Sequence, residues 1–270
     1  MIKTCILLAL FCGAALPSYS ATQQPSRQTS ECQSFSDHVL WAIKHQMPKG
    51  GGYSATPDTV NALVGNAVKW DKKNKKLLIN PDKAQPSFCS GACYLVLLKA
   101  LQRWQTTTGK QLSAKAWKSF DIYLDQKDGH GVWGRANANG PGFAKLIADT
   151  GTGINFTNYK DAHPGDFLKI FWTDAIGRKE RGHLVVYLGS EKKNGSTLLH
   201  YWSANKPTGY STKSCDIKQA KHLIFTRITH PERFDKVTKL PDIDSLLEVE
   251  DMQTRDFSFS EVMDMCNIKN

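Results

Sequence analysis

Two residues have the clearest chemical use in this chain: a cysteine at a helix start and a histidine that opens a strand. Cys89 follows Pro86-Ser87-Phe88 and heads an apolar run that reads as a buried helix from about Phe88 to Trp104, with Ser87 as the expected N-cap. A thiol is a weak nucleophile until it ionises, and both the positive end of a helix and a nearby imidazolium lower its pKa. Backbone N–H groups of a first helical turn have no acceptor within the helix and can hold a developing oxyanion. His183 opens the segment His183-Leu184-Val185-Val186-Tyr187-Leu188 directly after Gly182, where an imidazole can face an open groove. Its second nitrogen needs a polar partner to fix tautomer and orientation. His200, in the next alternating segment, is expected to be that partner, with Ser203 and Asn205 as other sources of an orienting oxygen. Cys93 lies one turn deeper on the same helix face and is the rival nucleophile.

The other cysteines bear on whether Cys89 is free. Lys3, an apolar run from Ile6 to Leu16 and Ser18-Tyr19-Ser20 describe a secretory signal peptide over residues 1–20, cut after Ser20 and too short to span a bilayer. Cys5 and Cys12 leave with it. Cys32, Cys89, Cys93, Cys215 and Cys266 remain, an odd number that leaves at least one thiol unpaired in an exported protein. With Cys89 free, the other four can form two disulfides in three ways. No second Cys or His pair follows Cys89 and Cys93 at zinc-site spacing, so neither metal nor organic cofactor is expected. The expected location is periplasmic or extracellular, without stable membrane insertion.

The formal charge of +10 is unevenly placed: residues 231–270 hold ten acidic against five basic side chains. The basic remainder suits an anionic partner, whether nucleic acid, a membrane surface or an anionic wall polymer, or serves solubility alone. Lys69 to Lys83 form a hairpin or loop carrying much of that charge. Without a helix-turn-helix pattern or aromatic residues interleaved with the lysines, nucleic acid is not the expected partner.

Around these residues the sequence predicts helices at 34–47, 58–68, 113–124 and 143–149, a Gly- and Asn-rich loop over 129–142, and four strands at 167–172, 183–188, 197–202 and 223–228. Residues 21–33 read as a disordered or linker segment, 34–230 as the folded domain with an insertion near 105–142, and 231–270 as an acidic C-terminal tail. Helices followed by antiparallel strands indicate the α+β class. Asp166 reads as a turn residue bonding its own backbone, and Trp133, Trp172 and Trp202 as groove or core residues.

Four stretches resemble the NlpC cell-wall peptidases. Phe88-Cys89-Ser90-Gly91 resembles that family's Cys-Ser-Gly helix start, although an Asp usually precedes the Cys there. His163-Pro164-Gly165-Asp166-Phe167-Leu168 resembles its Pro-Gly-Asp turn into the first core strand. Gly182-His183-Leu184-Val185-Val186-Tyr187-Leu188-Gly189 resembles the strand carrying the catalytic His, and Leu199-His200 the apolar-His step of the third polar residue. The stretches occur in the family's order within residues 86–203, and the related CHAP amidases share several of them. The resemblance implies a papain-like core, with a central helix packed on an antiparallel sheet of four or more strands. It also implies a secreted cysteine amidohydrolase that cleaves amide bonds of peptidoglycan stem peptides as endopeptidase or amidase, with Cys89, His183 and His200 as the catalytic set. Other uses of the same core are a non-catalytic wall-binding protein, a Cys-dependent acyltransferase, or a toxin accompanied by an immunity protein.

Overall fold

A computed structural model describes residues 34–122, 131–137, 140–240 and 254–269. The expected signal peptide, the linker over 21–33 and Cys32 lie outside the described residues. The helices are α1 (Phe35–Gln46), α2 (Pro57–Ala62), α3 (Cys89–Thr108), α4 (Ala114–Ser119), α5 (Gly131–Asn137), α6 (Gly142–Thr150) and α7 (Phe259–Met265). The strands are β1 (Gly50–Gly51), β2 (Val68–Asp71), β3 (Lys76–Ile79), β4 (Gly153–Phe156), β5 (Phe167–Phe171), β6 (Ile176–Gly177), β7 (His183–Lys193), β8 (Ser196–Asn205), β9 (Gly209–Asp216), β10 (His222–Ile228) and β11 (Asp256–Phe257).

Helix starts follow their side chains. Ser34 and Asp37 form a capping box on α1, and Ser113 accepts the Ala116 N–H at the start of α4. Helix α3 is apolar on most sides because it is surrounded: Leu95, Val96, Leu97 and Leu98 are fully buried. It packs against α1, β7 and β8.

Seven antiparallel strands form the main sheet, in the order β1-β9-β8-β7-β5-β10-β4. The alternation of strand side chains sorts its residues onto two faces. Leu184, Val186, Trp202 and Ala204 join the core built around α3, whereas Val185, Tyr187, Leu199, Tyr201 and Cys215 form a separate cluster on the opposite side. The protein is thus α+β with a large antiparallel sheet. All four expected strands are present, joined by β4, β9 and the short β1.

The turn ahead of β5 is held from inside. Asp166 is fully buried, accepts the His163 N–H at 2.8 Å, and takes Arg227 Nε at 2.9 Å and Nη2 at 2.6 Å. It bonds its own backbone as expected and also ties β5 to β10.

Four expectations are corrected. Residues 131–137 form α5 and not a loop, because Val132, Trp133 and Ala136 are buried and Trp133 packs 5.0 Å from the Tyr94 ring; burial outweighs weak local propensity. Ser87 does not cap α3, since its backbone pairs with Gly52 and Ser54, and Phe88 stands at the N-cap with no side-chain hydrogen bond. Among the described residues no disulfide forms: Cys89, Cys93, Cys215 and Cys266 are free thiols, and the last three are buried in three different apolar clusters. Residues 231–240 and 254–269 of the acidic C-terminal segment pack into the fold. Residues Gln33–Asn270 form one compact unit, Phe234 is fully buried against Phe120, β11 pairs with β6, and Val262 of α7 sits in a second core.

Candidate active site

Tyr53 and Cys89 are brought to one place by a glycine run. Gly50, Gly51 and Gly52 all have positive φ, and Gly50 and Gly51 pair with β9. A Cβ on the facing Gly209 would lie 2.2 Å from the Gly50 carbonyl oxygen, so this edge pairing excludes side chains. The chain then runs beside Ser87 through a short parallel bridge at Tyr53, just ahead of Cys89.

Cys89 is the first residue of α3 and is partly exposed. The first intrahelical bond runs from Ala92 N–H to the Phe88 carbonyl at 2.9 Å, which leaves the Cys89 amide outside the helix's own bonding. Phe88 offers no capping oxygen, so the positive helix end is not spent on a cap.

His183 acts on the Cys89 thiol both through hydrogen bonding and through its charge, and each lowers the thiol pKa. Its Nε2 lies 3.0 Å from Asn205 Oδ1, and the ring meets Tyr201 edge-on with centroids 5.7 Å apart. The Asn205 amide nitrogen donates to the carbonyls of Ser211 at 2.7 Å and Ser203 at 3.2 Å. That commitment leaves Oδ1 as an acceptor for His183 Nε2–H, and so leaves Nδ1 as the ring nitrogen with a free lone pair. Burial drives the Cys89 thiol up. The His183 hydrogen bond and charge, the Lys169 ammonium and the Leu184 backbone outweigh it and bring the thiol down to about 6.

Asn205, not His200, is the third polar residue. Val186 lies opposite Trp202 and Tyr187 opposite Tyr201, and that pairing continued toward the start of β7 sets His183 opposite Asn205. A bulge between Tyr187 and Gly189 then places His200 opposite Gly189. His200 is an odd number of residues from Asn205, so it projects from the other face of β8. It pairs instead with Glu191 at 3.4 Å on the surface.

Cys93 does not compete. It is fully buried, donates to the Leu184 carbonyl at 3.4 Å, and burial and the neighbouring Cys89 raise its pKa well above the thiol range. Cys215 and Cys266 are pushed by burial to about 11 and about 12. Cys89 is thus the one described thiol with thiolate character near neutrality.

A cavity of about 230 Å³ opens onto Cys89, with Tyr53, Phe88, Phe143, Lys169, Arg181 and Gly182 among its walls. Burial first, then the Cys89 charge, raises Tyr53 to about 12, so its hydroxyl remains a donor. Trp133 packs behind Phe88 at 6.0 Å, Trp202 is core, and Trp172 is exposed. Tyr53 and Lys169 escape a sequence reading: one follows a glycine run that looks like a plain helix breaker, the other is a lysine inside an apolar strand. Among the described residues no cluster of His, Cys, Asp and Glu forms a metal site, and no helix is long and apolar enough to cross a membrane.

No family model matches the chain, nor does any curated protein or solved structure.

Proposed function

We propose that this chain is a papain-like cysteine amidohydrolase of the NlpC type, exported and acting on peptidoglycan stem peptides. The observation that carries the reading is a helix-start Cys89 opening onto a cavity, its thiol pKa lowered by a His183 whose Nε2 is held by Asn205. Cys89 passes its proton to His183, the resulting thiolate adds to an amide carbonyl, and the oxyanion is held by the Cys89 N–H with the Tyr53 hydroxyl as a second donor. His183 delivers a proton to the leaving amine as the C–N bond breaks, leaving a thioester. It then takes a proton from water, whose oxygen attacks the thioester and frees the acid and the thiol. Asn205 holds the imidazole in the tautomer this sequence needs.

The peptidoglycan part of the proposal draws on the four NlpC-like stretches, together with the basic surface that β2 and β3 present through Lys69, Lys72, Lys73, Lys75 and Lys76. Digestion of purified sacculi by wild type and Cys89→Ala, followed by mass analysis, tests it. Fragments from wild type alone support it; equal release by both, or none by either, contradicts it. Intact stem peptides would identify an amidase and trimmed ones an endopeptidase. An added amine acceptor captured into product would identify acyl transfer.

A further inference from the structure

Lys169 is a cation in an unusual place. It lies on β5 within Phe167-Leu168-Lys169-Ile170-Phe171, where every residue is buried, and only 9% of its own surface is exposed. Among the described residues its ammonium has neither a hydrogen bond nor an ion pair. A buried ammonium is costly unless an opposite charge faces it; the Cys89 thiolate supplies one, and the cavity that Lys169 lines leaves room for a second from a ligand.

The surroundings show where that counter-charge would enter. Lys169 lines the cavity that opens on Cys89. Gly182 closes over its stem: a Cβ there would lie 2.7 Å from Lys169 Cε, and Gly182 itself has φ +68°. The Phe171 ring centroid is 5.8 Å from Nζ on the inner side. Of the groups that act on Lys169 as opposite charges Cys89 comes first and Glu180 second, and the two Glu180 oxygens already accept backbone N–H groups of Gly182 at 2.5 Å and Trp172 at 3.2 Å. Arg181 adds a second, exposed cation to the cavity wall, and no acidic side chain lines the cavity among the described residues.

We propose that Lys169 is a specificity-determining residue that receives a carboxylate carried by the substrate close to the carbonyl that Cys89 attacks, with Arg181 guiding the anion in. The substrate class is thus an amide whose acyl part bears a free carboxylate, in preference to its neutral carboxamide counterpart. The inference rests on Cys89 being the nucleophile. A second effect follows from the same position: the ammonium also supports the Cys89 thiolate, and burial in turn lowers the pKa of Lys169 itself. The two roles separate because only the first depends on the charge of the reagent.

The test uses two alkylating agents of nearly equal size, iodoacetate and iodoacetamide, on the intact protein, with the modified residue mapped by mass spectrometry. Loss of thiolate character slows both agents alike, so the ratio of their rates isolates anion recognition. Wild-type Cys89 is expected to react faster with iodoacetate. Lys169→Met is expected to cut that ratio by about tenfold or more, the scale of one hydrogen bond to a charged group. Lys169→Gln, which keeps the stem and a polar end, serves if the methionine variant does not fold, and Arg181→Ala should lower the ratio less. An unchanged ratio in the Lys169 variants, or a wild type that favours iodoacetamide, overturns the proposal while leaving Cys89 as nucleophile. No modification of Cys89 by either agent removes the nucleophile reading and this inference together.

Discussion

The Asn205 amide oxygen sits 3.0 Å from His183 Nε2, and its amide nitrogen is tied to two carbonyls on neighbouring backbone. This fixes which end of the amide faces the imidazole. It also fixes the imidazole tautomer, and therefore which nitrogen is free to work on Cys89. The arrangement is set by strand register: β7 and β8 meet so that the first residue of one lies opposite the last of the other.

Asn205→Ala should therefore lose activity by about 100-fold, the scale of a misplaced catalytic group. His200→Ala should stay close to wild type, because its ion pair with Glu191 is exposed and contributes at most about 1 kcal/mol. Steady-state rates of the two variants on the same substrate check this. The opposite ranking would return the orienting role to His200.

The buried Asp166–Arg227 pair makes a prediction about stability. Asp166→Ala leaves Arg227 without its carboxylate and cuts a link between β5 and β10. Urea unfolding should show a loss of about 3 kcal/mol, as for other broken buried pairs. A change confined to a few tenths of a kcal/mol would mean that the turn stands without it.

The C-terminal segment should behave as part of the core. Phe234 is fully buried 5.7 Å from Phe120, so Phe234→Ala should lower stability by about 3–5 kcal/mol. A dispensable tail would tolerate the substitution with an unchanged unfolding midpoint.

The pattern of what the sequence revealed follows from physics. Periodic apolar segments such as those around Leu184 and Leu97 were legible as strand and helix because burial repeats along them. Cys89 at a helix start was legible for the same local reason. The partner of His183 was legible only as a choice among His200, Ser203 and Asn205, because it depends on a bulge at Gly189 and on register, which no single strand encodes. Trp133 lies in a Gly- and Asn-rich stretch whose propensity argues for loop, and only contact with Tyr94 and Phe88 makes it helical. The acidic count in residues 231–270 suggested a tail, yet Phe234, Val237, Phe257, Val262 and Ile268 are among the apolar residues that anchor its described parts.

Cys89 also makes stability depend on pH. Its pKa in the fold is about 6 against an ordinary 9.0. Between those values the folded protein binds fewer protons than the unfolded chain. The contribution is full above pH 9.0 and is lost as pH falls through about 6. Unfolding of wild type and Cys89→Ala across that range should diverge as pH rises; parallel curves would argue against a depressed thiol.

The most direct measurement is the rate of Cys89 alkylation by iodoacetamide as a function of pH, followed by mass spectrometry on the intact protein. A thiolate held by His183 predicts a midpoint near 6 in wild type and an upward shift in His183→Ala. A wild-type midpoint near the ordinary thiol value of 9.0, unmoved by His183→Ala, would contradict the Cys89–His183 pair on which the account depends.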